Sequence, residues 1–114
     1  MSINRKAKGK RYELEVAAKF RAEGYDARRT AQYCGNTGDA SDVLGPPGVH
    51  IEAKFQEQMR LYEWMAQAIR DAEANGKGDL PVVIHRKSHA DTLVTMRFED
   101  WIQLYREWEA GRNT

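Results

Sequence analysis

The chain has 114 residues, 41% of them hydrophobic, with three Trp and a formal net charge of +1; these values fit one folded domain with its own core and exclude a disordered segment or a pair of domains. No run approaches the ~20 apolar residues that a membrane span requires, and the basic start lacks the apolar stretch of a secretory signal. Cys34 is single and cannot close an internal disulfide, so the expected setting is a reducing cytoplasm with no membrane partner.

Charge is unevenly placed: residues 1–30 hold nine Lys/Arg against four Asp/Glu, and the remaining 84 hold nine against thirteen. Residues 1–7 read as a basic arm and 8–114 as one domain. Arg5, Lys6, Lys8, Lys10 and Arg11 fall within the first eleven positions. Such a cluster releases counterions from phosphates when it meets nucleic acid; the plainer alternative is a solvated tail. Lys8 to Glu23 predicts a helix stopped by Gly24, with an apolar stripe of Tyr12, Val16, Ala17 and Phe20. Glu13 falls inside that stripe, where a lone carboxylate is costly to bury. A metal site at a sheet surface would satisfy it, and so would pairing with Lys10 or Arg11. Glu15 falls on the wetter side, towards Lys19 and Ala22.

The densest chemistry follows. Val49, Ile51, Ala53 and Phe55 alternate with His50, Glu52 and Lys54, the period-two pattern of a half-buried strand that projects those three polar residues from its other face. Asp42 lies in a short apolar stretch upstream, and Gly45-Pro46-Pro47-Gly48 predicts a turn between the two. The expected hairpin brings Asp42, Glu52 and Lys54 onto one patch of sheet. Neighbouring carboxylates repel unless a cation joins them. Hard oxygen donors suit Mg²⁺, and Mg²⁺ beside a lysine suits phosphodiester hydrolysis. A lone E-x-K arises by chance in charged proteins, so the weight rests on strand, turn, upstream Asp and Glu13 together.

Leu61 to Ala74 predicts a helix with Leu61, Met65, Ala68, Ile69 and Ala72 inward, ended by Asn75-Gly76-Lys77-Gly78. Leu80 to His85 is nearly continuous apolar, as for a strand buried on both faces. Thr92 to Phe98 alternates as another strand, and Glu99 to Glu109 predicts a last helix presenting Trp101, Leu104, Tyr105 and Trp108 as core or dimer surface. The order is α-β-β-β-α-β-β-α, an α/β fold with a mixed central sheet flanked by helices. His85, His89 and Cys34 lack zinc-site spacing, and there is no P-loop, nucleophile elbow or H-E-x-x-H.

The run Lys8-Gly9-Lys10-Arg11-Tyr12-Glu13-Leu14-Glu15-Val16, then Gly24-Tyr25-Asp26-Ala27-Arg28-Arg29, Ser41-Asp42-Val43 and Ile51-Glu52-Ala53-Lys54, resembles the PD-(D/E)XK nuclease superfamily, and within it the archaeal-type Holliday junction resolvases and their phage-borne relatives. The resemblance covers residues 8–55 well and the later elements more loosely. It implies a restriction-endonuclease-like core in which Glu13, Asp42, Glu52 and Lys54 are catalytic. Mg²⁺ (with Mn²⁺ as substitute) would be held by Asp42, Glu52 and the Ala53 carbonyl, with Glu13 ligating directly or through water. It further implies DNA contact at Arg29 beside Arg28, and a role for Gln67 in orienting Lys54 or touching a phosphate, although Gln67 also reads as an exposed helix residue. Ser41 replaces the motif's proline, and the Gln32–Ser41 loop, expected to touch substrate, is longer than in the archaeal enzymes. The implied activity is cleavage of four-way DNA junctions by paired symmetric nicks that leave 5′-phosphates. Two nicks from one site per chain call for a C2 homodimer, with Trp64 and Trp101 as candidate interface residues. Rival readings are a repair or end-processing nuclease of the same superfamily, a DNA-binding accessory protein with a degenerate site, and a charged interaction module without nucleic acid.

Overall fold

The computed structural model describes residues 5–30 and 40–112, with Arg5 described by its backbone alone. Cys34 and the Gln32–Ser41 loop up to residue 39 lie outside the described residues. Eight elements follow in the expected order: α1 (Arg5–Ala22), β1 (Arg28–Arg29), β2 (Val43–Leu44), β3 (Val49–Phe55), α2 (Leu61–Asn75), β4 (Leu80–Arg86), β5 (Leu93–Met96) and α3 (Phe98–Arg112). Helix α1 begins at Arg5, so Arg5 to Ala7 are helical, and α3 begins one residue earlier than the pattern predicts, where Trp101 N–H closes the first turn on the Arg97 carbonyl.

The core sheet has the order β3-β4-β5. β3 and β4 run parallel with Glu52 opposite Val83, and β4 and β5 run antiparallel with Val83 opposite Thr95. A parallel pair needs a crossover, and α2 supplies it. β1 and β2 form a separate antiparallel ribbon, Arg28 opposite Leu44. The expected hairpin between the Asp42 segment and β3 is thus not a ladder. β2 joins β3 through one backbone hydrogen bond, from Asp42 N–H to the Ile51 carbonyl at 2.7 Å, and the sheet forks there. Gly45 makes the fork possible: at φ +119° an added Cβ would stand 2.7 Å from Ala27 Cα, so only glycine lets this turn lie on the end of β1.

Each side of the sheet has its own core. Tyr12, Val16 and Ala17 of α1 pack on Ile51, Ala53, Val82 and Ile84, while Trp64, Met65 and Ala68 of α2 pack on Val83. Each fully buried Val, Ile or Met side chain among these contributes about 1.5–3 kcal/mol. Here the reading of β3 as half-buried fails. His50 and Glu52 are buried as deeply as Ile51, because α2 covers the face they share. Trp64 is likewise core and not dimer surface, being 5% exposed on the sheet-facing side of α2. Glu15 lies on the wetter side towards Lys19, 4.0 Å away, as expected, and also receives two hydrogen bonds from Arg86, at 2.9 and 3.0 Å, which tie α1 to the end of β4. His85 is a core residue whose Nε2 lies 2.8 Å from Thr95 Oγ1.

Helix α3 is the exception to this packing. Asp100 is its one buried residue among those described, and Phe98, Trp101, Tyr105 and Trp108 stack along its exposed side with centroid spacings of 6.2, 5.2 and 5.5 Å. The alternative that this stripe forms core is excluded.

Candidate active site

The fork fixes the first carboxylate. Ser41 is buried, and its hydroxyl accepts the Ile51 N–H at 2.8 Å and donates to the Val43 carbonyl at 2.6 Å. A proline here could do neither, so the serine anchors the segment by side-chain bonding. Thr30 holds the segment from the other side, through its hydroxyl to the Ser41 carbonyl and its N–H to the Asp42 carbonyl. Asp42 is thereby aimed at β3, where its Oδ2 accepts the Ala53 N–H at 2.8 Å.

Glu52 and Lys54 project from β3 on the α2 side. Lys54 Nζ donates to Gln67 Oε1 at 3.2 Å, so Gln67 orients the lysine's end. Glu13 reaches the same region from α1, and Arg29 Nε donates to its Oε1 at 2.7 Å with both side chains mostly buried. That ion pair replaces the expected pairing with Lys10 or Arg11. All of these residues line one cleft of about 1200 Å³, together with Lys6, Lys8 and Lys10. Lys8 also lies over the Phe55 ring, 4.7 Å from its centroid. Arg11 and Arg28 are exposed and outside the cleft lining. Arg60 lines it and was not anticipated; a single arginine before a helix carries no signal.

The electrostatics are those of crowded carboxylates. Burial, then the Glu52 charge, pushes the Asp42 carboxyl up to about 8. Burial also raises Glu13, against the lowering effect of Arg29. Two further residues crowd Glu52 from behind: His50 Nε2 lies 3.5 Å from Glu52 Oε1, and Asp71 on α2 is raised by burial and by the Glu52 charge. Sequence reading missed both, treating His50 as a solvent-facing strand residue and passing over Asp71. A buried set of repelling carboxylates is stabilised by a divalent cation, and their hard oxygen donors fit one.

A forked mixed sheet carrying Asp42, Glu52 and Lys54 in one cleft, flanked by Glu13, defines a nuclease of the PD-(D/E)XK class. The family model described as "Phage putative PDDEXK endonuclease" matches residues 4–113, and the chain belongs to that family. Among solved structures it is similar to Hjc of Archaeoglobus fulgidus, a Holliday junction resolvase from an archaeal hyperthermophile, with a TM-score of 0.58 and 21% identity over 78% of this chain and 72% of that one. That similarity shows a shared fold. No curated protein sequence matches the chain. No helix among the described residues is long and apolar enough to cross a membrane.

Proposed function

We propose that the protein is a Mg²⁺-dependent endodeoxyribonuclease that resolves four-way DNA junctions by paired nicks, each leaving a 5′-phosphate. The observation that carries this reading is the convergence of Asp42, Glu52 and Lys54 on a cleft edged by Lys6, Lys8 and Lys10. Asp42, Glu52 and the Ala53 carbonyl would hold the ion, with Glu13 acting directly or through water; Mn²⁺ would serve in its place. The bound ion supplies an acidified water and offsets charge on the scissile phosphate.

The chain's own groups do the rest. Lys54, held by Gln67, positions the attacking water, helps take its proton and stabilises the pentavalent oxyanion. Arg29 keeps Glu13 facing the cleft. The lysines of α1 bind flanking phosphates, a contribution that weakens steeply with salt. One site per chain requires a homodimer for paired nicks. The exposed aromatic stripe of α3, with Leu93 and Val94 of β5 also exposed, is the surface best suited to bury a partner.

The test is cleavage of a labelled four-way junction against linear duplex of matching sequence, with Mg²⁺, an EDTA control and Glu52→Ala. Symmetric nicks confined to the junction, lost with EDTA or the variant, support the proposal. Equal cutting of duplex and junction leaves an end-processing or repair nuclease. Salt-sensitive binding without cutting leaves an accessory DNA-binding protein.

A further inference from the structure

Strand β3 and helix α2 meet along a polar seam. Residues 50, 52 and 54 recur every ~6.6–6.8 Å along a strand, and residues 67, 71 and 75 recur every ~6 Å along a helix. The two periods nearly match, and the side chains pair rung by rung. Lys54 meets Gln67 at 3.2 Å, Glu52 meets Asp71, and His50 Nδ1 lies 3.5 Å from the Asn75 amide. The first rung orients the lysine. The second and third gather one imidazole nitrogen and two carboxylates, with ligand atoms of His50, Glu52 and Asp71 all within 4.8 Å of one another.

Glu52 and Asp71 share a side-chain hydrogen bond, which leaves His50 unaccounted for. His50 is 2% exposed, and its Nε2 has no hydrogen-bond partner although it is aimed at the group. Its 3.5 Å separation from Glu52 Oε1 is long for a hydrogen bond. It is the edge expected when two atoms bind one tetrahedral ion at about 2.1 Å. Three atoms within 4.8 Å of one another share a centre no more than about 2.8 Å from each, so side-chain shifts of at most about 0.7 Å reach coordination length. The Asn75 amide nitrogen faces Nδ1 at 3.5 Å; turning the amide by 180° would let its oxygen accept from Nδ1–H and leave the Nε2 lone pair facing inward, the usual role of a group behind a ligating histidine. Glu52 lines the main cleft and His50 lines a second cavity of about 240 Å³.

We infer that His50, Glu52 and Asp71 form a second divalent-cation site that shares the Glu52 carboxylate with the ion held by Asp42. The nitrogen donor selects a transition cation of the Mn²⁺ or Zn²⁺ kind over Mg²⁺. This goes beyond the cleavage reading, because occupancy of the site can be measured whether or not any junction is cut.

The experiment titrates metal-free full-length protein with Mn²⁺ by calorimetry and records pulsed electron paramagnetic resonance for ¹⁴N coupling to the bound ion. Wild type is expected to bind two Mn²⁺ per chain and show imidazole nitrogen coupling. Asp42→Asn is expected to lose one ion and keep the coupling. His50→Gln and the isosteric Asp71→Asn are expected to lose one ion and lose the coupling. Wild type without nitrogen coupling, or coupling that persists in a folded His50→Gln protein, overturns the site. The wild-type spectrum decides the matter even where a variant fails to fold.

Discussion

Replacing Asp42 by Asn should stabilise the metal-free protein, and the gain should grow with pH. In the folded chain the Asp42 carboxyl is raised from 3.8 to about 8, chiefly by burial and by the Glu52 charge. The folded state therefore binds this proton more tightly than the unfolded state. The stability so contributed is complete below 3.8 and is lost as pH rises through about 8. At 1.36 kcal/mol per unit, the loss between pH 5 and pH 8 is about 4 kcal/mol, and side-chain relaxation brings the expectation to about 2–4 kcal/mol. Asparagine mimics the protonated acid: its carbonyl still accepts the Ala53 N–H, and it carries no charge to repel Glu52. Urea unfolding in EDTA from pH 5 to 8 should show the two stability curves diverging by that amount, or about 8–16 °C in Tm. Mg²⁺ should close the gap by stabilising wild type alone. Parallel curves, or an Asn variant less stable at pH 8, would refute the argument that Asp42 is a buried, repelled carboxylate.

Other residues give independent checks. Gln67→Ala should lower the cleavage rate about 10- to 100-fold with little change in DNA affinity, since it holds the Lys54 ammonium; an equal loss in binding would assign it to phosphate contact instead. Trp64→Ala should cost about 3–5 kcal/mol in urea unfolding, the price of emptying a core site, whereas Trp101→Ser should leave monomer stability within about 0.5 kcal/mol and shift the protein to monomer in light scattering. Replacing Lys6, Lys8 and Lys10 by Gln should weaken junction and duplex binding alike and reduce the salt slope by about one for each phosphate no longer neutralised.

What could be read from the sequence depended on how far apart the interacting parts lie in the chain. Helices α1 and α2 and the doubly buried β4 carry their apolar periods locally, and their limits fall within a few residues of the expected ones. The E-x-K strand was equally legible as a strand. Its partner was not, because parallel pairing with β4 is set by the crossover through α2 and leaves no local mark. The same fact explains the error in burial. Alternation says that a strand has two different faces, and it cannot say that a helix will cover the polar one.

The polar seam is the sharpest case. Asp71 reads as a routine charge on an amphipathic helix and His50 as a routine polar strand residue. Their significance arises when two periods of nearly equal length are laid against each other, with Gln67, Asp71 and Asn75 falling on Lys54, Glu52 and His50 in turn. Glu13 and Arg29 make the same point more simply: sixteen residues separate them, and only the β1-β2 ribbon laid against α1 brings the guanidinium to the carboxylate. A motif therefore identifies the residues that meet the reacting phosphate, while those that hold them in place are found by docking one periodicity on another. In this chain the residues that support Lys54, Glu52 and His50 sit on α2, so substitutions along the 67-71-75 face should disturb the site more than those at its exposed positions 62, 66 and 70.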